Sequence, residues 1–498
     1  MIGARSASDW KMSLRVLLNS IADGDVPEIM VTGLADDSRQ VRAGSLFMAA
    51  AGLQRHGLEF VEQAQAAGAV AIAYEPVPGL TPPPGAIPVP GLARRRGQIA
   101  ARFYEHPTRK LRVCGVTGTN GKTTVVHLVS RASRLLNLQC AHMGTLGFGL
   151  SDPLTPSALT TPDVVTTHKR LAFMQAQGAR HVAMEVSSHA LHQGRVDAVL
   201  FDTAVFTNVS RDHLDYHEDM THYVKTKQLL FAWPGLRHAV LNVDDKTVGI
   251  TARALPPRVQ LTTVGEHAAD VKGATNWLRA DRVVTTADGI ELDVVSNLGS
   301  VTLRSPLLGD FNSVNLLQAL GVLVSWGVAF EKAASALGGV APPAGRMEMH
   351  GGQDRPLMVI DYAHTPDALA NALAALRAHC SGRLICVFGC GGDRDRGKRA
   401  LMAKSSACAD HVIVTDDNPR HEDPERIVAD IVAGFDADAS FEIERDRRAA
   451  VARAADIAQA GDVVLVAGKG HERVQIQGSN TIQMADRDLV QQALSVSP

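Results

Sequence analysis

The sequence predicts an α/β protein of three domains, two of them built on doubly wound, mostly parallel sheets. Short apolar runs of strand length alternate with stretches of helical period, the pattern of strands joined by crossover helices. Two Pro/Gly-rich stretches, Glu75 to Gly91 and Gly338 to Gly352, are poor element interiors and good boundaries. The 498 residues also exceed one compact core, and at roughly 100–200 residues per domain they divide naturally into three. The boundaries drawn are 1–91, 92–340 and 341–498.

The elements follow in order. The middle segment opens with LRVCGV, a buried strand by its composition, then a glycine turn and KTTVVHLVSRASRLL with helical period. HVAMEVS, TAVFTNVS and HAVLNV are further strands separated by helix-like stretches. The last segment repeats the rhythm with LMVIDYA, LICVFGCG, HVIVTDD and VVLVAGKG. In such sheets ligands bind beyond the C-terminal ends of the strands. The polar motifs of both segments begin near those ends, apart from the helix-borne Lys227 and the Asn312/Asn315 region.

Composition narrows the class. Hydrophobic residues make up 45% and charged residues 20%, as in ordinary globular protein rather than disordered chain. Fifty basic against 52 acidic side chains leave a formal charge of −2, which argues against nucleic acid or an anionic membrane as a bulk partner. The six cysteines form no CxxC, and several lie in apolar runs where a buried, reduced thiol is expected. The N-terminus lacks the apolar core of a signal peptide, and no apolar run approaches the ~18–20 residues that span a bilayer. A cytoplasmic protein without membrane insertion is therefore expected.

Gly118 to Thr124 read GTNGKTT between a strand and a helix. Glycines let the backbone wrap a phosphate, and N–H groups at a helix start favour negative charge. Lys122 is placed to reach terminal phosphates, and the Thr123 hydroxyl to ligate Mg²⁺. The spacing departs from GxxxxGK[ST], because the position five before Gly121 is Val116. An NTP site alone serves a kinase, a switch or a motor equally well.

Further motifs follow the loop in a fixed order: TTPD (160–163), MEVSSHAL (184–191), FTNVSRDHLDYH (206–217), HYVKTKQLLF (222–231), GDFNSVN (309–315), GRME (345–348), DYAHTPDAL (361–369), GCGGDRDRGKR (389–399), DDNPR (416–420) and AGKGHE (467–472). From end to end this resembles the Mur ligase and folylpolyglutamate synthase group, with GTNGKTT as that group's phosphate loop. Within it, the pattern is similar to the ligases that add the third residue of the muramyl-peptide stem. The resemblance implies an N-terminal uridine-binding domain, a central ATPase domain and a C-terminal Rossmann-like domain. It also implies an ATP-dependent acid–amino-acid ligase of cytoplasmic peptidoglycan precursor synthesis. The substrate carboxylate would be activated as an acyl phosphate and attacked by an amine, with ADP and phosphate released. The small-molecule partners expected are a UDP-muramyl dipeptide and meso-diaminopimelate, and the enzyme is expected to act as a monomer.

Site residues carry over position by position. Gly118, Thr119, Asn120, Gly121, Lys122, Thr123 and Thr124 would bind ATP, together with Asn312, Asn315, Arg346 and Asp361. Read without the resemblance, Asn312 is simply a helix N-cap. Mg²⁺ would be held by Thr123, Glu185, His213 and Lys227, the last as a CO₂-derived carbamate that turns a cation into an oxygen ligand. On sequence alone, Lys225 and Lys227 both read as solvated lysines, and motif register selects Lys227. The UDP-peptide would be bound by Ser38, Leu53, Gln54 and Arg55, and by Thr160, Thr161, Ser187, Gln193 and Arg195. Leu53 stands where some relatives carry histidine.

The amino acid added is the finest question. Diaminopimelate differs from lysine mainly by a second carboxylate, so its site needs an extra cation. Arg420 of DNPR and Arg394 of GGDRD supply guanidinium forks that match carboxylates. Asp417, Asn418, Pro419, Gly468 and Glu472 complete the implied pocket, with Asp417 and Glu472 suited to the distal ammonium. Taken alone, Asp-Asn-Pro-Arg is a plain turn.

Overall fold

The computed structural model describes residues 10–496 apart from 53, 54, 254, 287, 288, 353 and 438. By contact density the chain forms two compact units, residues 1–117, 137–204 and 229–237 in one, and residues 118–136, 205–228 and 238–498 in the other.

The first unit holds a four-stranded parallel sheet, Gly33–Ala35, Ser45–Ala49, Ala69–Tyr74 and Ile87–Pro88 in that order. Ser45–Ala49 is buried throughout, and its side chains alternate between two cores. Leu46 and Met48 join Leu17, Ile99 and Phe103 on one face, whereas Phe47 and Ala49 join Val61 and Ile72 on the other. That burial on both faces is why the strand reads as a continuous apolar run rather than an alternating one. The same unit contains Arg112–Thr117, His181–Glu185 and Cys140–Gly144, parallel in that order, with Gly147–Gly149 antiparallel at the edge.

In the second unit His238–Asn242, Gln260–Val264 and Asn276–Thr286 run parallel, and Gly289–Ser296 and Gly299–Ser305 continue as antiparallel hairpins. The helix Phe311–Ser325 packs on this sheet, and a Cβ at Gly321 would lie 3.2 Å from both Val240 and Thr262. A second sheet has the order Glu348–Gly351, Leu357–Asp361, Val463–Ala467, Leu384–Phe388, His411–Val414 and Phe441–Ile443. It is parallel except for the first strand. Its side chains alternate too: Val359, Cys386, Phe388 and Leu465 face one core, and Ile360, Ile385, Val387 and Val466 the other. The last strand of the chain's parallel set is inserted between the first two. That arrangement gathers the loops after Asp361, Phe388, Val414 and Ala467 at one end of the sheet.

All eight apolar runs read as strands from the sequence are strands, and the α/β class with mostly parallel sheets holds. The reading of Asn312 as a helix N-cap does not. The helix begins at Phe311, so Asn312 lies inside its first turn, and its amide donates to the Leu308 carbonyl at 2.7 Å instead of accepting from a backbone N–H. Four cysteines are buried, Cys380 is intermediate, Cys408 is exposed, and all six are free thiols. Among the described residues, no helix is long and apolar enough to cross a membrane.

Candidate active site

In the second unit the phosphate loop leads directly into the helix Lys122–Leu135. Gly121 supplies a left-handed φ of 85°, and a Cβ there would come within 2.5 Å of Asn315 Oδ1, so only glycine fits. The loop is braced by residues 207–210. Thr119 N–H donates to the Asn208 carbonyl at 2.8 Å, Asn120 N–H to Asn208 Oδ1 at 3.0 Å, and Thr207 Oγ1 to the Asn120 carbonyl at 2.5 Å. Asp245 holds that brace in turn, accepting from Val209 N–H at 2.7 Å. Lys122 Nζ folds back on the carbonyls of Gly118 (3.0 Å) and Thr119 (2.7 Å), a position from which it can swing onto a phosphate.

A cavity of about 440 Å³ opens beside this loop. Asn120, Gly121, Thr124, Asn312, Asn315, Arg346 and Asp361 line it, which brings together seven residues predicted to bind nucleotide. Asn315 Nδ2 donates to Asn312 Oδ1 at 2.8 Å, so the two amides act as one polar unit. Arg346 lies over the Tyr362 ring at 4.6 Å, with Nη2 3.4 Å from Thr123 Oγ1. Burial pushes the Asp361 carboxyl up, while Arg346 and the Met347 N–H, which donates to it at 2.8 Å, favour the carboxylate.

Lys227 is 1% exposed, whereas Lys225 on the same helix is exposed. Among the described residues its ammonium makes one hydrogen bond, to the Gly118 carbonyl at 2.8 Å, and no ion pair; it also sits over the Tyr223 ring at 4.3 Å. Burial and the neighbouring Lys122 drive its pKa well down, opposed only by Asp212. Only the neutral amine can react with CO₂, and this burial favours that form.

A second cavity, of about 200 Å³, lies at the strand ends of the six-stranded sheet. Arg394, Asp417, Asn418, Arg420, Gly468 and Glu472 line it, as do His213 and three residues the sequence reading did not single out, Asp212, His364 and Lys398. Gly468 has a φ of 112°, and a Cβ there would press on Asp417 Oδ2 at 2.7 Å. Arg420 also has a positive φ, 54°; its backbone N–H donates to the Ile476 carbonyl at 3.0 Å and its Nη1 to the Gly392 carbonyl at 2.8 Å. Burial, then Arg394, lowers the Arg420 pKa against the pull of Asp417 and Glu472. Among the described residues neither Arg394 nor Arg420 forms an ion pair, so two cations face one cavity and an anion would relieve their repulsion. Glu472 Oε2 accepts from Asn418 Nδ2 at 2.8 Å and from the buried Lys469 at 3.1 Å, which leaves Oε1 for a ligand. Pro419 completes the turn, its carbonyl accepting from Glu422 N–H at 3.2 Å.

In the first unit Glu185 ends the strand His181–Glu185 with its carboxylate 1% exposed, accepting from Thr145 N–H at 2.8 Å and Thr145 Oγ1 at 3.1 Å. Thr160 Oγ1 is 3.0 Å from that same Thr145 hydroxyl. Thr161 Oγ1 donates to the Glu185 carbonyl at 2.8 Å, and Ser187 N–H donates to Thr161 Oγ1 at 3.2 Å. Arg195 forks onto Gln193 Oε1 at 2.6 and 2.8 Å and reaches the Thr161 carbonyl at 3.0 Å. The residues expected to bind the muramyl peptide thus form one connected network around Thr161 and Glu185. In the four-stranded domain Ser38 Oγ donates to Gln63 at 2.9 Å, and Arg55 pairs with Glu59 and stacks on Phe60. Leu53 and Gln54 lie outside the described residues.

Residues 30–104 match the model of the Mur ligase family catalytic domain, 116–323 the Mur ligase middle domain, and 345–470 the Mur ligase glutamate ligase domain. A UDP-N-acetylmuramoyl-L-alanyl-D-glutamate–2,6-diaminopimelate ligase of Xylella fastidiosa is 49% identical over 462 residues, covering 91% of this chain and 92% of the relative. A ligase of the same name from Alkalilimnicola ehrlichii is 44% identical over 97% of this chain and 99% of the relative. A solved structure, again of a ligase of that name, superposes with a TM-score of 0.70 at 36% identity, covering 97% of this chain and 99% of that one. With three consecutive domain models matched and relatives aligned over nearly their whole length, the chain belongs to the Mur ligase family.

Proposed function

We propose that this chain is an ATP-dependent ligase that adds meso-2,6-diaminopimelate to UDP-N-acetylmuramoyl-L-alanyl-D-glutamate in peptidoglycan precursor synthesis. The observation that carries the reading is the cavity in which Arg394 and Arg420, without ion pairs of their own among the described residues, face Asp417 and Glu472. It offers cations for a carboxylate beside anions for an ammonium, the two ends of an amino acid. Its relatives' names supply the identity of that amino acid. The division of labour follows 1–91 for the uridine end, 92–340 for ATP, and 341–498 for the incoming amino acid.

The phosphate loop, Lys122 and Arg346 bind and neutralise the triphosphate, while Asn312, Asn315 and Asp361 offer polar contacts to base and ribose. Thr160, Thr161, Ser187, Gln193 and Arg195 hold the muramyl peptide, whose terminal carboxylate accepts the γ-phosphoryl group. Alignment of this kind, with charge neutralisation, supplies most of the acceleration in phosphoryl transfer. The acyl phosphate that results is attacked by the amine, and phosphate departs.

Among the described residues no three His, Cys, Asp or Glu side chains gather to hold a metal ion. The donor set nonetheless fits magnesium carried on phosphates, which keeps several waters and needs only one or two protein oxygens. In the second unit Thr123, His213 and a carbamate on Lys227 would hold it. An ammonium at Lys227 would repel such a cation, and the depressed basicity of that buried amine supports its conversion. When bound, magnesium supplies positive charge to the transferring phosphoryl group.

Incubation with ATP, Mg²⁺, the UDP-muramyl dipeptide and meso-diaminopimelate, read by mass spectrometry, tests the reading. A UDP-tripeptide carrying one new amide, formed together with ADP, is expected. ATP hydrolysis that is slow and indifferent to both peptide and amino acid would instead mark a nucleotide switch.

A further inference from the structure

An amino acid arrives as an ammonium, which has no lone pair and cannot attack an acyl phosphate until it loses a proton. The second cavity contains a group arranged to take it. We propose that His364 Nε2 is the proton acceptor for the attacking amine, with Asp212 opposite to stabilise the imidazolium that forms. The inference rests on the ligase reading above and names a catalytic residue for it.

Four observations support the assignment. First, His364 Nδ1 lies 2.8 Å from the Tyr362 carbonyl. A carbonyl can only accept, so Nδ1 carries the ring proton and Nε2 keeps its lone pair. Second, His364 lines the cavity shared by Arg394, Arg420, Asp417 and Glu472, with 35% of its side chain accessible. Third, Nε2 is 3.9 Å from Asp212 Oδ2, and a carboxylate, which only accepts, leaves the Nε2 lone pair free while attracting the ring once it is charged. Fourth, the surrounding charges keep the resting imidazole neutral. Burial, then Lys398, lowers its pKa to about 4, with Arg346 adding to the effect and Asp212 opposing it. Tyr362 lies 4.6 Å away ring to ring with His471 beyond it, Asp215 and Asp395 line the same cavity, and His471 is itself held down at about 4 by burial, Arg346 and His364. Substrate anions entering beside Lys398 and Arg346 cancel the repulsion that lowers His364 and raise its basicity when it is needed.

The step balances. The ammonium N–H bond breaks and its proton moves to Nε2. The freed lone pair forms the C–N bond, the C–O bond to phosphate breaks, and the second amine proton leaves with the departing phosphate.

Hydroxylamine separates this role from a structural one, because it is already a neutral nucleophile at neutral pH and traps acyl phosphates as hydroxamates. We expect His364→Asn and His364→Gln to lose about 10²- to 10⁴-fold in kcat with diaminopimelate, the usual worth of a general base. Their hydroxamate formation should fall by no more than about threefold, and the deficit with diaminopimelate should shrink as pH rises and free amine accumulates. Unchanged turnover of diaminopimelate, or equal losses with both nucleophiles in variants that still bind ADP, would overturn the proposal. A wild-type enzyme that yields neither amide nor hydroxamate would sink the ligase reading itself.

Discussion

Removing the Arg420 side chain while leaving its backbone in place is the perturbation whose size can be worked out most directly. Arg420→Ala deletes one of two guanidiniums facing the second cavity, and alanine keeps the Cβ, so the turn at φ 54° is no more strained than before. Within the protein the side chain loses mainly its 2.8 Å hydrogen bond to the Gly392 carbonyl, a surface-loop contact. Against ligand the loss is larger. Truncating one partner of a hydrogen-bonded charge pair costs about 2–5 kcal/mol. The lower part of that range applies, because Arg420 is only half-buried and Arg394 remains to share the carboxylate. Roughly 2–3 kcal/mol corresponds to a 30- to 150-fold fall in kcat/KM for diaminopimelate at about 1.4 kcal/mol per decade. Coupled phosphate release measures it, with ADP affinity by calorimetry as the control and expected to stay within about twofold. Arg420→Lys should recover part of the loss, since it restores charge without the planar fork. Equal losses of diaminopimelate use and ADP affinity would refute the assignment of Arg420 to the substrate carboxylate.

Other predictions follow from buried groups. Lys227→Ala should largely abolish turnover and be partly rescued by short carboxylic acids that replace the carbamate oxygens; an unchanged rate in the variant rules that role out. Arg447 and Asp486 are both fully buried and paired at 2.7 and 2.8 Å, and Arg447 also donates to the carbonyl of Ala467, which ends the strand leading into Gly468. Asp486→Ala should therefore lower unfolding stability by about 3–5 kcal/mol, whereas Arg447→Met with Asp486→Leu should cost much less, as urea titration would report. His168 is buried against the Asp197 carbonyl at 2.8 Å and its pKa is lowered by burial to about 4. The unfolded chain takes up that proton first as pH falls, so stability is complete above about 6.5 and drains between 6.5 and 4, by about 3 kcal/mol. A His168→Gln variant should show a correspondingly shallower acid limb of Tm against pH, and a parallel limb would contradict the linkage.

The parts of the fold legible in the sequence are those where local chemistry leaves few choices. A strand buried on both faces must be apolar throughout, and LICVFGCG and VVLVAGKG announce themselves for that reason. The hairpins over Asn276–Ser305 escaped notice because their outer face carries exposed polar and charged residues, so no continuous run marks them. GTNGKTT and DNPR were visible because their residue types are costly unless used. Asp212, His364 and Lys398 were not, since each is an ordinary polar residue within a motif whose other members drew the roles. Only the topology brings residues from these three segments to one cavity. Thr207 and Asn208, which brace the phosphate loop, lie inside FTNVSRDHLDYH but their bracing role does not show there, and Asp245, which holds that brace, carries no signal beyond polarity. An N-cap at Asn312 puts the helix start two residues past Phe311, because asparagine is also a favoured cap, and only the direction of its hydrogen bond distinguishes the two.

The central claim is that this chain ligates diaminopimelate in particular, and phosphate release with meso-diaminopimelate against L-lysine tests it most directly. With ATP, Mg²⁺ and the UDP-muramyl dipeptide present, we predict release with diaminopimelate and a kcat/KM for lysine lower by about 30-fold or more, the cost of two unpaired guanidiniums. Equal or faster release with lysine would keep the ligase and contradict the part given to Arg394 and Arg420.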